Sequence, residues 1–207
     1  MALSTFAELK TAIASLLNRG DLTSSIPDFI TLAESEMRRI LHTRRVIGRS
    51  TATLTSQYIA MPTDFGGPRS VVLASTDPKS QLRYVSPEKA LELQEGAYTG
   101  TGQPRVYSVV GDELQFLPAP DGSYDLEMTY WRRLAALSDS ATSNWMLTDH
   151  PDAYLYGSAK HSAPYLKDDQ RIVVWGGLFE SAMQHIERED SQASFGGRLN
   201  MMARSFG

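Results

Sequence analysis

Along the first forty residues the apolar positions recur at helical spacing. Phe6, Leu9, Ile13, Leu16 and Leu17 line one side of a helix that opens on a Thr5-Phe6-Ala7-Glu8 capping box and stops at Asn18-Arg19-Gly20. Ile26, Ile30, Ala33, Met37 and Ile40 predict a second helix, opened by Pro27, with Glu34 and Arg38 paired at i,i+4 on its solvent side. The link is short, so the two form a hairpin. Its Arg19-Gly20-Asp21 reads as a helix-ending glycine, not an adhesion motif.

From Ser50 the period falls to two. Thr51, Thr53 and Thr55 alternate with Ala52 and Leu54, and YIAMP, SVVLA and LRYV follow as short strand-like runs. Ser86 caps a short helix with Pro87 at its first position, and RVYSVV and ELQFLP read as a hairpin turned at Gly111-Asp112. In YDLEMTYW, Tyr124, Leu126, Met128 and Tyr130 share one face while Asp125, Glu127 and Thr129 share the other, the half-buried antiparallel pattern. The linker LSDSATSN returns the chain to helix over about 150–166, with Asp149 or His150 as cap, and over about 170–189, with Asp168 or Asp169 as cap. Ile172, Trp175, Phe179, Ala182 and Ile186 form the buried seam of the second of these, and Gly157, Ala159 and Ala163 suit the first to close packing.

The expected fold is therefore α+β: an antiparallel helix bundle of two hairpins with an inserted, mainly antiparallel β-sheet region and a flexible C-terminal tail. The expected boundaries are 1–48 for the first hairpin, 49–136 for the β-rich insert with one short helix, 137–189 for the linker and second hairpin, and 190–207 for an extended tail without periodicity.

Composition adds mainly exclusions. A chain of 207 residues with 42% hydrophobic and 21% charged residues is ordinary for one or two folded domains. The absence of cysteine removes disulfides, thiolate metal sites and thiol nucleophiles. The start lacks a signal-peptide pattern, and the longest nearly apolar run, IVVWGGLF, is far short of the roughly 20 residues of a membrane span, which predicts a soluble, unprocessed chain. A net charge of −4 argues against a protein that grips phosphates.

Chemistry is scarce. NWMLTDHPDAYLYGSAKHSAPYL carries two of the four histidines, but His150 and His161 are eleven residues apart, roughly 16 Å along a helix, too far to share a metal. Ser158 and His161 are helical neighbours with no carboxylate on the same helix to orient the histidine. Asp168-Asp169 and Glu189-Asp190 sit at helix ends, where capping accounts for them, and no phosphate-binding glycine loop, G-x-S-x-G or H-E-x-x-H occurs. No catalytic residue, metal ligand or cofactor is expected.

FAELKTAIASLLNRGDLTSSIPDFITLAESEMRRIL at 6–41 and LQFLPAPDGSYDLEMTYWRRLAALSDSATSNWMLTDHPDAYLYGSAKHSAPYLKDDQR at 114–171, in that order and separation, resemble the adaptor proteins of tailed bacteriophages. These are the head-to-tail connector subunits of short-tailed and related phages and prophages. The resemblance runs to about residue 189 and rests on the combined pattern. It implies a non-enzymatic virion protein of the neck or tail, assembled in the bacterial host cytoplasm. It further implies a ring of copies, commonly about twelve, bound beneath the portal protein. Such a ring extends the channel for packaged DNA without binding it specifically, and offers a platform to the next tail or nozzle protein; no membrane is involved. A tail-tube or completion protein is the alternative within the structural class. A virion-associated cell-wall hydrolase is the alternative outside it, and would need two opposed carboxylates.

Two sets of residues suit that role. Tyr154 and Tyr156 point to different sides of their helix and are candidates for the subunit interface. Phe195, Met201, Met202 and Phe206, with Arg198 and Arg204, are candidates for portal binding by a tail that orders on its partner.

Overall fold

The computed structural model describes residues 3–76, 78–166 and 170–194. Helix α1 spans Phe6–Leu17, and its capping box forms as expected, Thr5 accepting from the Glu8 N–H while the Glu8 carboxylate takes the Thr5 N–H. Its end is set by Asn18, left-handed at φ 53°, whose N–H reaches back to the Ala14 and Ser15 carbonyls. Helix α2 spans Ile26–Ile40 with Pro27 in its first turn.

The central region supplies strands β1 (Ile47–Leu54), β2 (Tyr58–Ala60), β3 (Phe65–Leu73), β4 (Ser80–Gln81) and β5 (Arg83–Tyr84), helix α3 (Pro87–Glu95), and strands β6 (Val106–Val110), β7 (Glu113–Leu117) and β8 (Tyr124–Arg132). They form two four-stranded sheets of order β1-β8-β3-β4 and β2-β7-β6-β5, antiparallel except for the β5–β6 pair. Gly111 takes φ +59° in the β6–β7 turn, a conformation its missing Cβ permits. The alternation in β8 holds: Leu126, Met128 and Tyr130 are buried. They join Leu54, Val71 and Leu73 of their own sheet, and Tyr107, Leu114 and Phe116 of the other, in one core.

Four more helices follow: α4 (Trp145–Asp149), α5 (Pro151–His161), α6 (Ala163–Leu166) and α7 (Arg171–Ser194). The single helix expected at 150–166 is thus two pieces, α5 and α6, and α4 precedes them. Asn144, extended at φ −143°, caps α4 by accepting the Leu147 N–H, so the helical stretch starts earlier than expected. His150, at φ −134° and ψ 60°, breaks it, because a residue before proline is pushed out of the helical region. His150 is the N-cap residue of α5 with Pro151 following, as expected, but its side chain makes no capping hydrogen bond; the side-chain cap of Asn144 belongs to α4. The seam of α7 is buried as expected at Trp175, Phe179, Ala182 and Ile186, with Met183 added. This helix runs on through Ser194, so residues 190–194 are helical, and Asp190 accepts the Arg44 N–H at 3.1 Å.

The fold is α+β, with seven α-helices and two mostly antiparallel sheets among the described residues. The chain divides into two compact units, Met1–Arg44 with Leu134–Gly207, and Arg45–Arg133. In the first, α5 packs against α1, α2 and α7. Gly157 makes that possible: a Cβ there would lie 3.0 Å from the Phe179 ring and 3.3 Å from Ala33.

Candidate functional site

The helical unit holds a polar node that the amphipathic pattern placed in solvent. Glu34 is 2% exposed. Its Oε1 accepts the Leu137 N–H at 2.7 Å and the Tyr154 hydroxyl at 3.0 Å, and its Oε2 lies 3.5 Å from the Arg38 guanidinium. The Tyr154 hydroxyl also accepts from Asn144 Nδ2 at 2.6 Å. Asn144 Nδ2 reaches the Ala135 carbonyl at 2.8 Å, and Arg38 Nε donates to the Leu134 carbonyl at 3.1 Å. Three side chains, Glu34 and Arg38 of α2 and Asn144 ahead of α4, therefore grip the backbone of residues 134–137 where the chain re-enters the helical unit. Burial pushes the Glu34 carboxyl up, outweighing the Leu137 N–H, Tyr154 and Arg38, which favour its charge. Burial and the neighbouring Glu34 push the Tyr154 phenol up as well. The expected i,i+4 pair of Glu34 and Arg38 is present, but its carboxylate is buried while Arg38 stays exposed. Position could have revealed this: Glu34 follows Ile30 by four residues and precedes Met37 by three, about 40° and 60° away on the apolar arc.

Around the histidines, Glu36 on α2 gathers Lys160 Nζ at 2.6 Å and His161 Nε2 at 2.9 Å from the end of α5. Partial burial works to raise the Glu36 carboxyl, but Lys160 and then His161 outweigh it and hold it below the usual range. The carboxylate partner missing from the histidine's own helix thus comes from another. It does not complete a hydrolytic triad. Ser158 is fully buried with its Oγ unpartnered, and Glu36 occupies His161 Nε2, the nitrogen that serves the serine in such a triad. His150 lies edge-on to Trp145 and 3.9 Å from Glu189. No group of three potential metal ligands comes together among the described residues.

The β unit has a cavity of about 450 Å³ between Met61, Phe65, Val109, Asp112 and Arg133, and a second, of about 230 Å³, opening between the two sheets beside β1. Neither brings two carboxylates face to face.

Among the described residues the geometry thus offers packing and surfaces. A model of the SU10 adaptor protein family matches residues 4–201, nearly the whole chain. The chain belongs to the SU10 adaptor protein family. It is thereby related to phage head-to-tail adaptors, structural proteins of tail assembly in the virion neck that associate with portal and tail proteins. No curated protein matches the chain. Among the described residues no helix of this adaptor is long and apolar enough to cross a membrane.

Of the adaptor's expected interface pair, Tyr154 is fully buried in its own unit, spent on Glu34, while Tyr156 is half-buried against the same core. Only Tyr156 keeps surface for a neighbour. The portal-binding candidates Phe195, Arg198, Met201, Met202, Arg204 and Phe206 lie outside the described residues, as do the expected caps Asp168 and Asp169.

Proposed function

We propose that the chain is the subunit of a ring, of about twelve copies, that sits beneath the portal, extends the DNA channel and carries the next tail component. The family match over residues 4–201 carries this reading. In it the helices act as two hairpins of an antiparallel bundle, interrupted in sequence by the β-rich region, and the C-terminal segment with Phe195, Arg198, Met201, Met202, Arg204 and Phe206 meets the portal. The helical unit supports a packing role, since Val173, Val174 and Leu178 of α7 and Leu32 of α2 are exposed apolar side chains beyond what its own core uses. A charge of −4 per copy disfavours a grip on passing DNA.

Mixing the chain with its cognate portal and measuring mass tests the reading. Twelve copies of 22.9 kDa add about 275 kDa to the portal. A chain that remains monomeric with portal present refutes it.

A further inference from the structure

Strand β1 is the long open edge of its sheet. It pairs with β8 through eight consecutive positions, Ile47 to Leu54, without a register shift, and its other side has no backbone partner among the described residues. Such an edge is a template for another strand unless it is defended. On the other side of this sheet, β3 is defended, by Pro68, by two register shifts and by β4. Along Ser50–Leu54, β1 has only Ser, Thr, Ala and Leu, with neither proline nor charge.

The core is also open there. Ala52 belongs to the inward face, between Ser50 and Leu54, yet it is exposed. Beside it the gap of about 230 Å³ runs between the sheets, lined by Ser50, Ala52, Ile59, Leu114, Leu126 and Met128. A strand added to β1 would hydrogen-bond to the edge and point every second side chain into this gap. The gap takes flexible aliphatic or thioether side chains. On the outward face, Glu127 is already held by Arg49 at 2.7 Å and Lys79 at 3.2 Å. Asp125, opposite Thr53, is exposed and has no ion pair among the described residues, so the incoming strand should bring a cation to it.

The chain contains a segment with that pattern. After α7 ends at Ser194, thirteen residues follow, and within them Leu199, Met201 and Ala203 alternate with Arg198, Asn200, Met202 and Arg204. Seven extended residues span about 23 Å, close to the length of β1. Whichever way the segment runs, one end presents an arginine toward Asp125.

We propose that the free edge of β1 is a strand-docking site and that residues 198–204 of a neighbouring copy occupy it. This rests on the ring reading: a strand passed from each copy to the next is a heterologous contact, the kind that closes into a ring. In this arrangement Arg198, Met201 and Arg204 of the segment proposed for the portal are used on the neighbouring copy instead, and its portal contact falls to Phe195 and Phe206, which flank the docked strand.

Hydrogen exchange on the full-length chain tests this. The outward amides of Ser50–Leu54 should be protected, and protection should rise with protein concentration. The double variant Leu199→Asp/Met201→Asp should speed their exchange by about tenfold, as an uncovered edge does. A synthetic peptide of residues 195–207 should restore protection to that variant, but not once Ala52→Lys puts a charge at the mouth of the gap. Ala52 is exposed, and an unchanged melting temperature shows that the fold persists. Unchanged exchange in the double variant, or a peptide that restores nothing, overturns the docking site. Concentration-independent protection overturns the assignment to a neighbour and places the strand on its own copy. Protection without ring formation on the portal upholds the strand contact while removing the ring; a ring with β1 unprotected does the reverse.

Discussion

Glu34 shows how one residue acquires a role from its neighbours. Alone on a helix it would face water; here it accepts two hydrogen bonds and terminates the buried contacts of Tyr154. Glu34→Ala strands the Leu137 N–H, a loss of roughly 1–3 kcal/mol, and leaves the Tyr154 O–H with the Asn144 donor but no acceptor, about 1 kcal/mol more, so roughly 2–4 kcal/mol in all is expected in urea melts. Tyr154→Phe removes one bond and should cost about 1 kcal/mol. The two glutamates of α2 also predict opposite pH dependences. The folded pKa of Glu34 is raised, so its contribution is complete below the unfolded value, near 4.5, and is lost as pH rises through the folded one. That of Glu36 is lowered, so its contribution is present above 4.5 and is lost as pH falls through the folded value. Glu34→Gln should therefore narrow its deficit to the native chain as pH rises, and Glu36→Gln as pH falls. Melts across about pH 3 to 8 check both signs. His161→Ala removes a contact to Glu36, and His150→Ala one near Glu189; neither should alter assembly, and elemental analysis should find no stoichiometric zinc.

Among the elements, α5 has the most to lose from small changes, because it packs on three other helices. Gly157→Ala puts a methyl 3.0 Å from Phe179, and should cost about 1–3 kcal/mol through overpacking, visible as a lowered melting temperature. The suitability of Gly157 for close approach was legible as a small residue in an apolar helix; the partners Ala33 and Phe179 were not, since no local spacing links α2, α5 and α7. Helix starts that rest on adjacent residues, Thr5 with Glu8 and Ser86 with Pro87, could be read directly. The Asn144 start could not be singled out from the polar linker before it, because its side chain also answers to Ala135 and Tyr154.

For the whole molecule, the extent of α7 changes where a truncation should fall. Cutting at residue 190 removes a helical turn and the Asp190 acceptor for Arg44, whereas cutting after Ser194 spares both. Deleting 195–207 should leave the thermal midpoint nearly unchanged while weakening attachment to the portal, measured by co-sedimentation. Normal attachment by this truncated chain removes the portal role of the segment.

What the sequence determined by itself is what depends on near neighbours: periods of 3.6 and 2, caps, the Gly111 turn, the seam of α7 and the α+β class. The combined pattern also carried the adaptor resemblance. Tertiary structure alone decided where polar groups ended up. A carboxylate enters a core only where donors meet it, and Glu34 is met by residues 137 and 154, far from it in the chain. It likewise decided that β1 is a long edge without a partner among the described residues and where the gap beside it opens, since strand order joins residues far apart in the chain and no local pattern encodes it.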